Sequence, residues 1–211
     1  MDTDAVVYVI DDDVARREYV IGLVQGKGKG LKARGYDSAS GFLLEDDAKV
    51  EGCVVVDVQM PEMDGLELLE ELKRRKSPLA AVMLTGIADM PMAVRAMQAG
   101  AVTILEKSCG AEALWQGIEQ ALEVGRSQYA ARKHREEIEA RLATLSSEEL
   151  SVLRRLIDGE PNKTIAADLD LGLRTVELRR SNVMRKMQAQ SLPDLVRMAI
   201  VAGLLNTEGK G

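Results

Sequence analysis

Four short apolar runs in the first half of the chain each break off at a polar residue. Ala5-Val6-Val7-Tyr8-Val9-Ile10 stops at Asp11-Asp12-Asp13, and Cys53-Val54-Val55-Val56 ends at Asp57. Ala80-Ala81-Val82-Met83-Leu84 ends at Thr85-Gly86, and Val102-Thr103-Ile104-Leu105 at Glu106-Lys107. Continuous runs of this length predict strands buried on both faces. Leu31 to Tyr36 is a further short candidate strand. Helical patterns lie between them, over Arg16 to Val24, Ser38 to Glu45, Leu66 to Arg75, Pro91 to Gln98 and Ala111 to about Arg126. The first of these fails at Gly26-Lys27-Gly28-Lys29-Gly30, which reads as a flexible turn. It lacks the terminal Lys-Ser/Thr of a phosphate-cradling loop. Alternating strands and helices predict a doubly wound α/β domain with a parallel sheet covered on both faces. Sites in such sheets lie at the carboxyl ends of the strands, here Asp11, Asp12, Asp57, Thr85 and Lys107.

The second half has a different pattern. No proline interrupts Ala111 to Ala143, and Gln128 to Glu139 is dense in charge, so a long helical connector is expected. Residues 144–205 read as four short helices. Ser146/Ser147 followed by Glu149/Leu150 read as an N-terminal cap ahead of Leu150, Leu153 and Leu156, and Gly159 and Pro161 end that helix. Lys163 to Leu169 forms the next, Arg174 to Met187 the third and Leu192 to Gly203 the fourth. On the third, Val176, Val183 and Met187 fall on one stripe and should face the core.

The 211 residues suffice for one or two domains, and 46% apolar with 29% charged residues describes an ordinary globular chain. Aromatics are only 3%, which argues against a base-stacking single-strand binder. Cys53 and Cys109 are too few for a disulfide scaffold and read as two free thiols. No apolar stretch is long enough to span a membrane, and Met1-Asp2-Thr3-Asp4 is the reverse of a secretory leader, so a cytoplasmic protein is expected. The net charge of −6 is unevenly spread: residues 141–211 hold 11 cations against 9 anions, residues 1–140 hold 17 against 25. An acidic front and a mildly basic back suggest two tasks on one chain.

Asp11, Asp12 and Asp57 should converge from adjacent strand ends, and close like charges require a counter-ion. A hard divalent cation is the natural one, and Mg²⁺ usually takes a few carboxylates with phosphate oxygens and water; Lys107 adds a point charge for a phosphoryl group and Thr85 a hydroxyl donor. Such a set suits in-line phosphoryl transfer to a carboxylate.

Val9-Ile10-Asp11-Asp12-Asp13, Val55 through Gly65, Met83-Leu84-Thr85-Gly86 and Glu106-Lys107 resemble receiver domains of bacterial two-component response regulators, over roughly residues 5–125. The resemblance implies a five-stranded sheet and a phosphoryl group accepted by Asp57 from a sensor histidine kinase. It implies Mg²⁺ held by Asp11, Asp12, Asp57 and the Gln59 carbonyl. Lys107 would contact the phosphoryl oxygens, and Thr85 would swing toward them. The sequence departs from the family at Ile104, where the switch residue is usually Tyr or Phe, and at Ser108, usually a cis proline. A cis bond before serine would cost about 2.5–4 kcal/mol, so Lys107–Ser108 should be trans or strained.

The third C-terminal helix carries Arg174, Arg179, Arg180, Arg185 and Lys186, with Thr175 and Asn182 as short polar groups. A tight turn and a short helix precede it, which fits a recognition helix in a DNA major groove. Pro161-Asn162-Lys163, Arg174-Thr175-Val176-Glu177, Asn182-Val183-Met184 and Ser191-Leu192-Pro193 are similar to LuxR-type helix-turn-helix domains. With the receiver they most resemble the FixJ branch of response regulators. That resemblance implies phosphate contacts by Lys163, Arg174, Thr175, Arg179, Asn182 and Lys186, and base-edge contacts by Glu177, Leu178 and Ser181. Arg179 stands where the family more often has His.

The expected architecture is therefore a receiver over 1–125, a helical linker over 126–143 and an all-α DNA-binding domain over 144–211. The expected function is transcription control, with dimerisation on phosphorylation through the helix Pro91–Gln98 and the strand before Lys107. Double-stranded DNA, a sensor histidine kinase and RNA polymerase are the candidate partners. No catalysis beyond its own phosphoryl transfer and dephosphorylation is expected. Ile104 and Ser108 motivate an alternative, a phosphorylation-independent DNA-binding regulator with an uncoupled receiver. A carboxylate-nucleophile phosphatase is disfavoured, because the general-acid position two residues after Asp57 is Gln59. The histidine His134 has no nucleotide-binding domain to serve and reads as a solvated connector residue.

Overall fold

The computed structural model describes residues 5–45, 50–86 and 90–205; the N-terminal tetrad read above lies outside them. The chain divides into two compact units, Met1–Ala131 and Arg132–Gly211.

In the first unit, β1 (Val6–Ile10), β2 (Lys32–Tyr36), β3 (Gly52–Asp57), β4 (Ala80–Thr85) and β5 (Ala101–Glu106) form one sheet in the order β2-β1-β3-β4-β5. Every pairing is parallel. The connections are α1 (Val14–Lys27), α2 (Ala39–Glu45), α3 (Gly65–Arg74) and α4 (Met90–Ala99), and α5 (Ala111–Leu142) follows β5. Alternate residues of each strand serve opposite faces. Val7, Val9, Cys53, Val55, Val82 and Leu84 pack with Val20 and Val24 of α1 and with Leu114, Ile118 and Ala121 of α5. Tyr8, Ile10, Val54, Val56, Ala81 and Met83 pack with α2, α3 and Ala96 of α4. Both faces are thus covered, which is why these strands read as unbroken apolar runs. Both cysteines are free, and burial pushes the Cys53 thiol up to about 12.

Two local expectations need correction. The first helix does not fail at Gly26: α1 continues through Lys27 and ends at Gly28, whose N–H donates to the Val24 carbonyl at 2.7 Å. Buried Val20 and Val24 hold this last turn on the sheet, and tertiary packing outweighs glycine's low helix propensity. The helix expected from Ala111 and the charged connector are one element, α5, with no break near residue 126. The Lys107–Ser108 bond is trans, as is every peptide bond among the described residues.

The second unit contains the end of α5 with α6 (Ser147–Ile157), α7 (Asn162–Asp168), α8 (Leu173–Met187) and α9 (Leu192–Val201). Its core gathers Ile138, Val152, Leu153, Leu156, Ile165, Val176, Val183, Met187 and Leu195. The stripe predicted on α8 is the one buried. Ser146 caps α6 in a reciprocal box with Glu149. No helix among the described residues is long and apolar enough to cross a membrane.

Candidate functional site

The strand order turns back on itself between β1 and β3. The register sets Ile10 beside Val56, so the residues that follow, Asp11 and Asp57, emerge together at the switch point. Their carboxylates and that of Asp12 bring oxygens within 4.8 Å of one another. Asp11 and Asp57 are buried and Asp12 is exposed. Asp57 Oδ1 accepts the Gln59 N–H at 3.1 Å, and Oδ2 accepts Lys107 Nζ at 2.6 Å. Asp11 Oδ1 accepts the Asp13 N–H at 2.9 Å. Asp11 Oδ2 is buried with no hydrogen-bond partner, and Lys107 Nζ stands 3.4 Å from it as a loose ion pair.

Burial raises the pKa of Asp11 above the ordinary aspartate value, and the Asp57 charge adds to it. The Asp13 amide and the long contact to Lys107 offset only part of this. For Lys107, burial works against the ammonium, but the bond to Asp57 and the Asp11 charge outweigh it and hold the pKa above that of free lysine. A hard divalent cation suits this donor set. Three carboxylates meet on two strand ends, and one of their buried oxygens has no hydrogen donor.

The surrounding residues fix the site. The buried Thr85 accepts the Lys107 N–H on its carbonyl at 2.7 Å, which ties the ends of β4 and β5. Asp13 caps α1 by accepting from the amides of Ala15 and Arg16. Asp64 and Glu67 form a capping box at the start of α3. Gly65 donates to the Val58 carbonyl at 3.0 Å, and a Cβ there would lie 2.3 Å from the Asp57 carbonyl oxygen. An open cleft of about 600 Å³ beside Asp12 is lined by Gln59, Met60, Pro61, Met92 and Arg95. Ile104 is partly buried against the core on the α4 side of the sheet.

In the second unit, Lys163, Arg174, Thr175, Glu177, Leu178 and Ser181 are exposed, and Arg179 and Asn182 are partly so. Arg174, Glu177, Leu178 and Ser181 share one helical face, where Leu178 keeps 63% of its surface in solvent. Lys186 is also partly exposed, and its ammonium lies 2.6 Å from the buried Glu149 carboxylate and 3.0 Å from the Thr144 carbonyl.

Sequence reasoning missed three residues at the acidic site: Arg16, Arg17 and Gly65 as a close-approach position. Arg17 donates to the Asp11 carbonyl at 2.6 Å, and Arg16 donates to the Lys107 carbonyl. Nothing in the local pattern signals the Arg16 bond, because Arg16 and Lys107 are 91 residues apart.

Residues 7–119 match the response regulator receiver domain, and residues 143–199 match the luxR family of bacterial regulatory proteins. The transcriptional regulatory protein FixJ of Bradyrhizobium diazoefficiens is 43% identical over 206 residues, covering 98% of this chain and all of that protein. FixJ of Rhizobium meliloti is 41% identical over 95% of this chain and 98% of its own length. Among solved structures, the response regulator StyR has a TM-score of 0.76 at 35% identity, over 94% of this chain and 99% of that one. Full-length FixJ from B. japonicum has a TM-score of 0.55 at 42% identity, over 97% and 100%.

Proposed function

The chain belongs to the FixJ-type response regulators of two-component systems, transcription regulators with a receiver and a LuxR-type DNA-binding domain, and on that premise we propose that Asp57 is its phosphoacceptor. The observation that carries the reading is the Asp57 carboxylate itself. It is buried at a strand end, 2.6 Å from Lys107 Nζ and beside the carboxylates of Asp11 and Asp12. In the transfer, an Asp57 oxygen attacks the phosphorus of a kinase phosphohistidine. The P–O bond forms, the P–N bond breaks and its electron pair stays on the imidazole nitrogen. Mg²⁺, held by Asp11, Asp12, Asp57 and the Gln59 carbonyl, would offset the charge that gathers on the phosphoryl oxygens. Lys107 exchanges its bond to the carboxylate for one to the phosphoryl group, and the Thr85 hydroxyl turns toward the same oxygens. The receiver turns over only its own phosphoryl group.

The output is control of transcription by a dimer on double-stranded DNA. Met90, Val94 and Met97 expose an apolar row on α4, suited to pairing two receivers alongside β5. Arg174, Thr175, Arg179, Asn182 and Lys163 are the phosphate contacts, and Glu177, Leu178 and Ser181 face the bases. A dimer matches two half-sites, and RNA polymerase is the partner it meets in the cytoplasm. A second reading, DNA binding without phosphorylation, draws on Ile104, which lacks the ring of the family's switch residue.

Acetyl phosphate with Mg²⁺ should label the wild-type protein and leave Asp57→Asn unlabelled. Equal labelling of the two would remove Asp57 from the role.

A further inference from the structure

We propose that Arg16 is a positioning residue for phosphoryl transfer, which holds the Lys107 main chain so that its ammonium stays aimed at Asp57. The inference rests on the phosphoacceptor reading above. Lys107 follows the last residue of β5, and β4 beside it ends at Thr85, so among the described residues the sheet ladder offers no partner for its carbonyl. Its N–H is fixed by the Thr85 carbonyl at 2.7 Å, and its carbonyl is taken by the Arg16 guanidinium. With both amide groups of this residue held, the backbone cannot swing, and Nζ reaches Asp57 Oδ2 at 2.6 Å. Ser108 leaves the loop without a ring to stiffen it. The loop's other restraints are a turn from the Cys109 N–H to the Glu106 carbonyl and a bond from Ser108 Oγ to the Glu106 carboxylate.

Arg16 sits in the first turn of α1, which Asp13 caps directly after the acidic loop. Its neighbour Arg17 holds the Asp11 carbonyl at 2.6 Å. One helical turn therefore grips the main chains of both an acidic ligand candidate and the lysine. No ion pair joins Arg16 to a carboxylate among the described residues, so its part is directional, a planar donor on a carbonyl. The side chain is partly buried in this position.

The test uses full-length protein with Arg16→Met, which keeps the stem and removes the donor, Lys107→Ala, and the double variant. Initial rates of Asp57 labelling by acetyl phosphate with Mg²⁺ should fall about tenfold in Arg16→Met, as expected for a displaced reacting group. In the Lys107→Ala background the same substitution should change the rate less than about twofold, because coupled residues are not additive. Equal slowing in both backgrounds would mean that Arg16 acts apart from Lys107 and would overturn the proposal. Amide hydrogen exchange without any phosphodonor supplies an independent reading. The Lys107 amide should exchange about tenfold faster in Arg16→Met, while strand amides of β1 and β3 keep wild-type protection. Unchanged exchange at Lys107 overturns the clamp, and general loss of protection assigns Arg16 to folding instead. If wild-type protein takes no label, the phosphoacceptor reading fails while exchange still decides the clamp.

Discussion

At the scale of single residues, Lys186 separates charge that binds outward from charge that holds the fold. The family resemblance implied a phosphate contact for it, and its ammonium is bonded to Glu149, 37 positions away. Glu149 was legible as a capping residue, because a capping box is local. Its bond to Lys186 was not, because only the tertiary fold brings them together. The Lys186 ammonium, and after it the Ser146 amide, hold the Glu149 pKa below the ordinary glutamate value of 4.5. A carboxyl with a lowered folded pKa stabilises above its unfolded value, and that stability is lost as pH falls below it. The thermal midpoint of wild-type protein should therefore drop more steeply below about pH 4.5 than that of Lys186→Met. At neutral pH the same variant should lose about 1–3 kcal/mol, the cost of stranding a buried charged partner. Arg174→Ala should leave stability alone and lower the salt slope of DNA binding by about one unit. Circular dichroism melts and binding titrations at several salt concentrations measure the pair. A fall in salt slope for Lys186→Met equal to that for Arg174→Ala would return Lys186 to the DNA face.

Secondary structure elements carried most of what was legible. Four of the strands announced themselves as apolar runs, because a sheet covered on both faces has no polar side, whereas β2, an edge strand with Lys32 and Arg34 exposed, did not. The polar residues that end them marked the acidic site for the same reason. Contacts in which backbone meets backbone stayed hidden, since no side chain advertises them. Gly125 of α5 is one: a Cβ there would lie 2.1 Å from the Gly52 carbonyl oxygen at the start of β3. Helix propensity alone would favour alanine by about 1 kcal/mol. The clash is with main chain and cannot be relieved by a rotamer, so α5 must lift from the sheet. Overpacking of this kind costs about 1–3 kcal/mol. Gly125→Ala should therefore lower the urea midpoint, whereas Gly22→Ala, with open space around its Cβ on α1, should raise it. Stabilisation in both would show that α5 yields freely.

For the whole molecule, the question is whether chemistry at Asp57 reaches the α4 face. Phosphorylation can act only through a difference in affinity between two receiver states, and moving a population from 1:99 to 99:1 takes about 5.5 kcal/mol. The lever at the acidic site is Lys107, which must choose between Asp57 and a phosphoryl group. Thr85 is placed to follow it, since its carbonyl already holds the Lys107 amide. Ile104 has no hydroxyl or ring to reward an inward turn, and its aliphatic side chain already packs on the core. The coupling we propose for this chain therefore rests on Thr85 and the α4 residues rather than on an aromatic switch. Sedimentation of the full-length protein with Mg²⁺ should show monomer without, and dimer with, beryllofluoride as the phosphoryl mimic. Val94→Asp places a charge in the exposed apolar row and should abolish the dimer while leaving Asp57 labelling intact. Thr85→Ala should weaken the shift with labelling retained. A dimer of equal strength with and without beryllofluoride would instead favour constitutive DNA binding, with Asp57 and its carboxylate neighbours uncoupled from the helix they were expected to move.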